Sequence, residues 1–385
     1  MLRALFSRSL NLIWLQNLAL LAAYTLVGAL LPLFIRQSGL SDSTNGLILG
    51  TGSLGLLVSL LLMGRWIDLG EPRRYMAGGA FLWAATSALL AMLQSTWVLV
   101  VCRFLQGFAY ALFYTAALVY ATRSVGDEYR GTVVGMIEAV GAFSIALTPF
   151  LAFPLAAAWG YPVAFWLAAA CSLLVLLTVP LLAARLPPPI EPDPQSGNPA
   201  TPSATRFLSR HALLPGSVAA SLFCVAIAYI NLAPLIGQRV GVASISLYMG
   251  LRAMGTVPTR LLSGFIADRK SASWAIVTGL LVALLGLSLL PFLAQPGWAY
   301  LVPALFGLGM GSASPALTAW MLKRVPAGER AVAINTFTIM TEGSGFLGSW
   351  LVGALLQSGD LAGFLLLPAL LGVGLIIYFL GSKAA

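Results

Sequence analysis

The chain has 385 residues, of which 59% are hydrophobic and only 9% are charged, and its mean hydropathy is +0.92. These values lie far outside the usual range of soluble globular proteins and indicate a polytopic membrane protein. The formal net charge of +9 does not indicate a nucleic-acid partner, because the basic residues stand singly or in pairs at the ends of apolar runs.

Twelve apolar segments are long enough to cross a bilayer as a helix, which needs about 20 residues. We predict these helices at residues 10–35, 44–66, 75–94, 97–122, 131–157, 161–184, 212–236, 243–266, 272–294, 297–322, 331–356 and 361–381. An even number places both termini on one side of the membrane. That side is predicted to be the cytoplasm, because most of the 21 basic residues then lie inside. We therefore expect an integral protein of a bacterial-type inner (plasma) membrane.

A Pro-rich polar stretch at residues 185–211 separates the sixth and seventh predicted helices. It has too little apolar content to bury a core, so we predict a flexible cytoplasmic linker between an N-terminal half, residues 1–184, and a C-terminal half, residues 212–385. Equivalent residues recur 200 positions apart in the two halves, at Gly50 and Gly250, Gly64 and Gly264, Asp68 and Asp268, Gly107 and Gly307, Arg123 and Lys323, and Arg130 and Arg330. This repeat predicts an all-α fold of twelve transmembrane helices in two six-helix halves with pseudo-two-fold symmetry, an arrangement typical of transporters.

The stretch after the second predicted helix resembles a motif of the major facilitator superfamily, Gly-x-x-x-Asp-Arg-x-Gly-Arg-Arg. Gly64, Asp68, Arg73 and Arg74 fit this motif, whereas Leu69 replaces its first arginine. The second copy keeps Gly264, Asp268, Arg269 and Lys270. The resemblance implies a cytoplasmic gate, in which the two aspartates approach the positive N-terminal ends of helices from the other half. Its expected members are Asp68, Arg73, Arg74, Asp268, Arg269, Arg130 and Arg330. The alternative is a charge cluster that only sets the topology.

Two further motifs extend the resemblance into the membrane. The fourth predicted helix carries Arg103 and Gly107, similar to the Arg-x-x-x-Gly signature of the superfamily. The fifth helix keeps the spacing and the proline, Pro149, of a motif found in drug:proton antiporters, although most of the glycines of that motif are replaced. The resemblance implies a proton-coupled exporter that acts as a monomer.

Five ionisable side chains fall inside the predicted membrane segments: Arg103, Glu138, Arg252, Arg260 and Glu342. Buried charges in a membrane are costly and indicate function. We expect Glu342, Glu138 and Arg103 to serve proton coupling. Glu342 is favoured because it lies about 18 Å along its helix from Arg330, near the middle of the membrane, whereas Glu138 lies about 12 Å from Arg130. The alternative is a permanent Glu–Arg pair that only holds helices together.

Arg252 and Arg260 add fixed positive charge to the eighth predicted helix, which favours an anionic or zwitterionic solute. Polar and aromatic residues at helical spacing complete the predicted substrate site. They are Thr256, Tyr248, Tyr110, Tyr114, Gln106, Asn335, Thr338, Tyr24 and Asn231. For Arg260 the alternative is snorkelling towards the membrane surface, and for the tyrosines it is helix packing.

The sequence therefore predicts a secondary active transporter of a small organic solute, working by alternating access and exporting it in exchange for protons. An uptake symporter or facilitator for an organic anion is the alternative, and a receptor without transport activity is the alternative from another class. We expect no enzymatic activity, because the sequence has no phosphate-binding loop and no nucleophile–base constellation. With three cysteines inside apolar segments and one histidine, no metal site and no cofactor are expected.

Overall fold

The computed structural model describes residues 7–93, 95–126, 129–183, 208–239, 241–269, 272–292, 299–326, 329–358 and 364–383. Most of the predicted linker, residues 185–211, lies outside these ranges. Within them the regular secondary structure is entirely helical. The all-α fold predicted from the sequence is therefore confirmed.

Each predicted membrane segment corresponds to one α-helix of the described residues. These helices are α1 (Arg8–Gln37), α2 (Asp42–Leu69), α3 (Pro72–Met92), α4 (Thr96–Arg123), α5 (Arg130–Trp159), α6 (Tyr161–Thr178), α7 (Arg210–Arg239), α8 (Ile245–Arg269), α9 (Ala272–Ser288), α10 (Leu301–Arg324), α11 (Arg330–Ser358) and α12 (Leu366–Lys383). Short 3-10 turns follow α6 at Val179–Leu181 and α9 at Leu290–Phe292. In the described ranges, nine helices are long and apolar enough to cross a membrane.

Local sequence signals set where the helices begin and end. The Ser7 hydroxyl caps α1 by accepting a hydrogen bond from the Leu10 amide at 3.4 Å. The Ser41 hydroxyl accepts one from the Thr44 amide at 3.1 Å where α2 begins. A single residue, Gly160, separates α5 from α6, and its φ of 84° lies in the left-handed region that favours glycine.

The chain divides into two compact units, and α2 contributes to both. Unit 1 comprises Met1–Gly39 and Thr51–Ile190, and unit 2 comprises Leu40–Gly50 and Glu191–Ala385. The first residues of α2 thus group with the later part of the chain, whereas its remainder belongs to unit 1.

The same pairs of helices pack together inside each unit. In unit 1, α1 packs on α5 and α6, and α3 packs on α4 and α6. In unit 2, α7 packs on α11 and α12, and α9 packs on α10 and α12. These four pairs are equivalent under the internal repeat. The packing therefore repeats together with the sequence.

Glycines at equivalent positions bring the helices of each unit into backbone contact. A Cβ added at Gly107 of α4 would lie 1.9 Å from the Gly52 oxygen of α2, and one at Gly307 of α10 would lie 2.1 Å from the Arg252 oxygen of α8. The two contacts are equivalent, because each position in the second contact lies 200 residues after its counterpart in the first. Small residues permit this close approach of membrane helices. The 200-residue offset is thus a repeat of helix packing.

Candidate functional site

Unit 1 holds a buried arginine beside a tyrosine ring. Arg103 of α4 is only 3% exposed, and its guanidinium carbon lies 5.9 Å from the ring centroid of Tyr24 on α1. A Cβ added at Gly52 of α2 would lie 3.0 Å from the Arg103 Nε. The glycine therefore leaves space for the guanidinium, which gains a cation–π contact with Tyr24.

The Tyr24 ring belongs to a cluster of four aromatic rings from three helices. The Tyr24 ring lies 4.6 Å from that of Tyr110 and 5.4 Å from that of Trp83, and the Tyr110 and Tyr114 rings stack at 5.7 Å. The three tyrosines are half-buried, whereas Trp83 of α3 is fully buried. The structure thus brings the predicted residues of α1 and α4 together and adds Trp83, which the sequence analysis did not include.

Gln106 of α4 has no exposed surface. Neither polar atom of its amide has a hydrogen-bond partner in the described part of the chain. The buried Trp83 Nε1 and Ser87 Oγ of α3 likewise have no partner there. Leaving a buried polar group without a hydrogen bond costs about 1–3 kcal/mol. A ligand that bonds to these three side chains would therefore be stabilised.

In unit 2, a predicted residue of α8, Tyr248, is hydrogen-bonded to a tyrosine of α7. The Tyr229 hydroxyl donates to the Tyr248 hydroxyl at 2.6 Å, and both side chains are fully buried. The Tyr229 ring also lies 5.0 Å from that of Phe306 on α10. Tyr248 therefore serves the packing of unit 2, where its partner is a residue absent from the predicted site.

The polar ridge predicted on α8 runs from the core to the surface of unit 2. Tyr248 is fully buried, Arg252 is 7% exposed, Thr256 is half-buried and Arg260 is exposed. The Thr256 hydroxyl donates to the Arg252 carbonyl at 2.9 Å. Only the first part of the ridge therefore lies in the interior of unit 2.

The α11 residues differ in exposure, and the structure adds a contact to this helix. Glu342 and Thr338 are half-buried, whereas Asn335 is exposed. The Asn231 amide of α7 donates to the Ser349 hydroxyl of α11 at 3.0 Å. Asn231 thus holds α7 against α11, and Glu342 lies near the middle of α11.

Each unit places one buried guanidinium at the same helix crossing, but from opposite helices. In unit 1, Arg103 projects from α4 towards Gly52 on α2. In unit 2, the position equivalent to Gly52 is Arg252 itself, and the position equivalent to Arg103 is Pro303. The positive charge has been kept while the helix that supplies it has changed.

Two of the predicted gate residues are placed by the structure. Arg73 and Arg74, in the first turn of α3, both form ion pairs with Glu71. Arg73 also donates to the Leu182 carbonyl at 3.0 Å, which ties the start of α3 to the end of α6. The side chains of Asp68, Arg130, Glu138, Asp268, Arg269 and Arg330 lie outside the described residues.

The sequence matches the Major Facilitator Superfamily over residues 13–349. The chain belongs to this superfamily. Members of this superfamily are membrane transporters. Within the described residues, no three His, Cys, Asp or Glu side chains are grouped so that they could hold a metal ion.

Comparisons with individual transporters show the same fold with different cargoes. The chain is 35% identical over 158 residues to mouse solute carrier family 2, facilitated glucose transporter member 10, a match that covers 41% of this chain and 29% of that protein. The nucleoside transporter NupG is similar with a TM-score of 0.78 and 14% identity, covering 96% of this chain and 99% of the other. A POT family transporter in complex with 5-aminolevulinic acid has a TM-score of 0.81 at 14% identity, covering 98% and 96%. At these identities the solved structures show the transporter fold alone.

Proposed function

We propose that this chain is a secondary active transporter that exports a small organic solute in exchange for protons by alternating access. It acts as a monomer in a bacterial-type inner membrane with both termini in the cytoplasm. The observation that carries the proposal is the division of the molecule. Two units share one packing scheme, and one helix, α2, has its first residues in unit 2 and its remainder in unit 1.

The contacts of the first residues of α2 support a gate that opens and closes. An added Cβ at Gly46 would lie 2.1 Å from the Ser349 oxygen of α11, and one at Gly50 would lie 2.9 Å from the Phe346 oxygen. Small residues let the two backbones approach closely, so the seam at Gly46 and Gly50 can close tightly. In the predicted orientation this seam is on the outer side, opposite the cytoplasmic gate of Asp68 and Asp268.

Glu342 is the favoured proton-coupling residue. It is half-buried near the middle of a 29-residue helix, where a change in burial or in a neighbouring positive charge moves the protonation equilibrium of a carboxylate. Glu138 and Arg103 are its expected partners in coupling. The buried Arg103 and Arg252 keep a positive charge in each unit, which supports an anionic or zwitterionic solute.

A facilitator of a neutral, hydroxyl-bearing solute is the second candidate. Its support is the match to a facilitated glucose transporter, in which the aligned segment spans 29% of that relative. The buried amide of Gln106, which has no hydrogen-bond partner among the described residues, also suits a solute that carries hydroxyl groups.

Everted membrane vesicles with an acidic interior separate the two candidates. Glucose, uridine and 5-aminolevulinic acid serve as probes, and a pH-sensitive dye reports the proton gradient. Export by antiport predicts solute accumulation together with loss of the gradient. A facilitator predicts equilibration of the solute without any effect on the gradient.

The variant Glu342→Gln tests the coupling residue in the same vesicles. We expect it to abolish accumulation against a gradient, because the amide cannot carry a proton, while exchange of labelled for unlabelled solute persists. Ser344→Ala, two residues later on α11 and outside the predicted substrate site, is the matched control and should retain coupling. Uphill transport by Glu342→Gln with an unchanged proton dependence would refute the assignment.

A further inference from the structure

We propose that Gln106, Ser87 and Trp83 form a hydroxyl-binding subsite in the core of unit 1. All three side chains have no exposed surface. Their polar atoms have no hydrogen-bond partner among the residues that the structure describes. The inference deepens the proposed function and rests on it, since it makes this group part of the path of the solute.

The three side chains suit a hydroxyl group. The Trp83 indole offers one N–H donor, the Ser87 hydroxyl can donate or accept, and the Gln106 amide offers both a donor and an acceptor. A hydroxyl both donates and accepts, so it can satisfy the indole and the amide at once. A carboxylate could use only the donors and would leave the Gln106 oxygen without a bond.

The register of the helices places these residues along one seam. In unit 2, a Cβ added at Gly286 of α9 would lie 2.9 Å from the Leu305 Cβ of α10 and 3.3 Å from the Val302 oxygen. The pairs α3–α4 and α9–α10 share their register, because Gly79 meets the Ala109 oxygen and Gly279 meets the Gly309 oxygen. Ser87 of α3 therefore lies alongside the turn of α4 that carries Gln106.

The three equivalent positions of unit 2 are apolar. Positions 200 residues after Trp83, Ser87 and Gln106 are occupied by Ala283, Leu287 and Phe306, all fully buried. The same backbone packing is thus stable without polar groups. Three buried polar side chains in one copy, at a cost of about 1–3 kcal/mol for each unsatisfied group, mark that copy as the one that binds a ligand.

Two half-buried rings connect the subsite with the surface of unit 1. Tyr24 touches both the buried Trp83, at 5.4 Å, and the half-buried Tyr110, at 4.6 Å. Because the Tyr24 ring lies against that of Trp83, its displacement would give a hydroxyl access to the subsite. The hydroxyl can belong to water or to the solute, and labelling of Trp83 distinguishes the two.

X-ray hydroxyl-radical labelling of the purified chain tests the subsite, because radiolysis of a water bound there produces hydroxyl radicals next to Trp83. We expect Trp83 to be labelled although it has no exposed surface. In Ser87→Ala/Gln106→Met the labelling should be about tenfold slower, because the groups that hold the ligand are gone. Tyr229, equally buried but bonded to Tyr248, is the internal reference. Labelling of Trp83 in the parent chain that is as slow as that of Tyr229 would overturn the subsite.

Millimolar glucose or uridine identifies the source of the hydroxyl. Protection of Trp83 by either probe shows that the solute displaces the bound water and occupies the subsite. Labelling that persists unchanged with both probes shows that the group holds water alone and contradicts its place in the path of the solute. The single variant Gln106→Met, which keeps the side-chain length, replaces the double variant if the latter fails to fold. Because labelling requires no transport, a chain that moves no probe but labels at Trp83 contradicts the proposed function alone.

Discussion

The α2–α4 crossing of unit 1 and the α8–α10 crossing of unit 2 share their glycine contacts but differ in the side chains around them. In unit 1, Arg103 and Gln106 both project from α4, and the amide of Gln106 has no partner among the described residues. In unit 2, Arg252 projects from α8, and Phe306 fills the position equivalent to Gln106. The comparison separates two roles, because backbone packing has been preserved through glycine while polar groups have diverged.

The largest expected effect is at the shared contacts. Gly107→Ala and Gly307→Ala should each destabilise the protein by about 1–3 kcal/mol or more, since the added Cβ meets a backbone oxygen that cannot move aside without shifting a helix. Thermal unfolding of the purified variants measures this.

Gly135→Ala and Gly343→Ala are matched controls for these variants. In the part of the chain that the structure describes, nothing lies within 4 Å of a Cβ added at either glycine. Both controls should be neutral or more stable by up to about 1 kcal/mol, through helix propensity. If Gly107→Ala behaves like Gly135→Ala, the shared packing is wrong.

Removing a buried polar group should have opposite effects in the two units. Tyr229→Phe should cost about 1–2 kcal/mol, because it breaks the bond to Tyr248 and leaves that buried hydroxyl with one partner fewer. Gln106→Met should stabilise the protein or leave it unchanged in a preparation without solute. The melting temperatures of the two variants measure these effects. An equal decrease in both would contradict the prediction that the two units respond in opposite ways.

A smaller effect is expected from Gly52→Ala. Its added Cβ would lie 3.0 Å from the Arg103 Nε, a side-chain atom that can shift. Stability should therefore fall by less than about 1 kcal/mol, while transport falls more because the guanidinium is displaced from Tyr24. Melting temperature and transport rate are compared in one preparation. Equal fractional loss of both would assign Arg103 a role in packing only.

The smallest effect concerns the ends of the helices, where each unit has its own polar ties. In unit 1 the hydrogen bond from Arg73 lowers the pKa of Glu71 below its ordinary value of 4.5. The stabilisation is therefore full above pH 4.5 and is lost as the pH falls through the lower folded-state pKa. At neutral pH, Glu71→Gln should cost at most about 1 kcal/mol, as is usual for exposed pairs.

The helix ends of unit 2 are held by different polar contacts. There the His211 Nδ1 lies 3.2 Å from Glu329, and the Ser209 amide donates to the Thr336 hydroxyl at 2.9 Å. Melting curves across the acidic range should show that the difference in melting temperature between the parent chain and Glu71→Gln disappears at low pH. A difference that grew with acidity would have the wrong sign for a lowered pKa.

Periodicity and length predicted the helices well. A membrane segment must form its backbone hydrogen bonds within itself, so it is a long apolar helix that can be recognised in the sequence. The 200-residue offset also predicted the repeat that the glycine contacts display. Glu342 and Arg103 could be named as candidates because a charge in an apolar run is visible without knowledge of its neighbours.

Contacts between helices could not be predicted in the same way. Trp83 and Ser87 were missed because single polar residues in an apolar helix look like packing. The Tyr229–Tyr248 bond and the Asn231–Ser349 bond depend on the register of two helices, which no pattern within one helix determines. Arg260 resembled Arg252 in sequence, yet only Arg252 is buried.

The central claim is that the seam between the start of α2 and α11 must part during transport. It is tested most directly by a disulfide between Gly50→Cys and Phe346→Cys, in a chain whose native Cys102, Cys171 and Cys224 are replaced. A Cβ added at Gly50 would lie 3.3 Å from the Phe346 Cα, so the bond can form without a large movement. Oxidation should stop transport of the probes that the reduced protein moves, and reduction should restore it, whereas transport by each single-cysteine variant should not change on oxidation or reduction. Transport at an undiminished rate by the fully cross-linked protein would contradict the account.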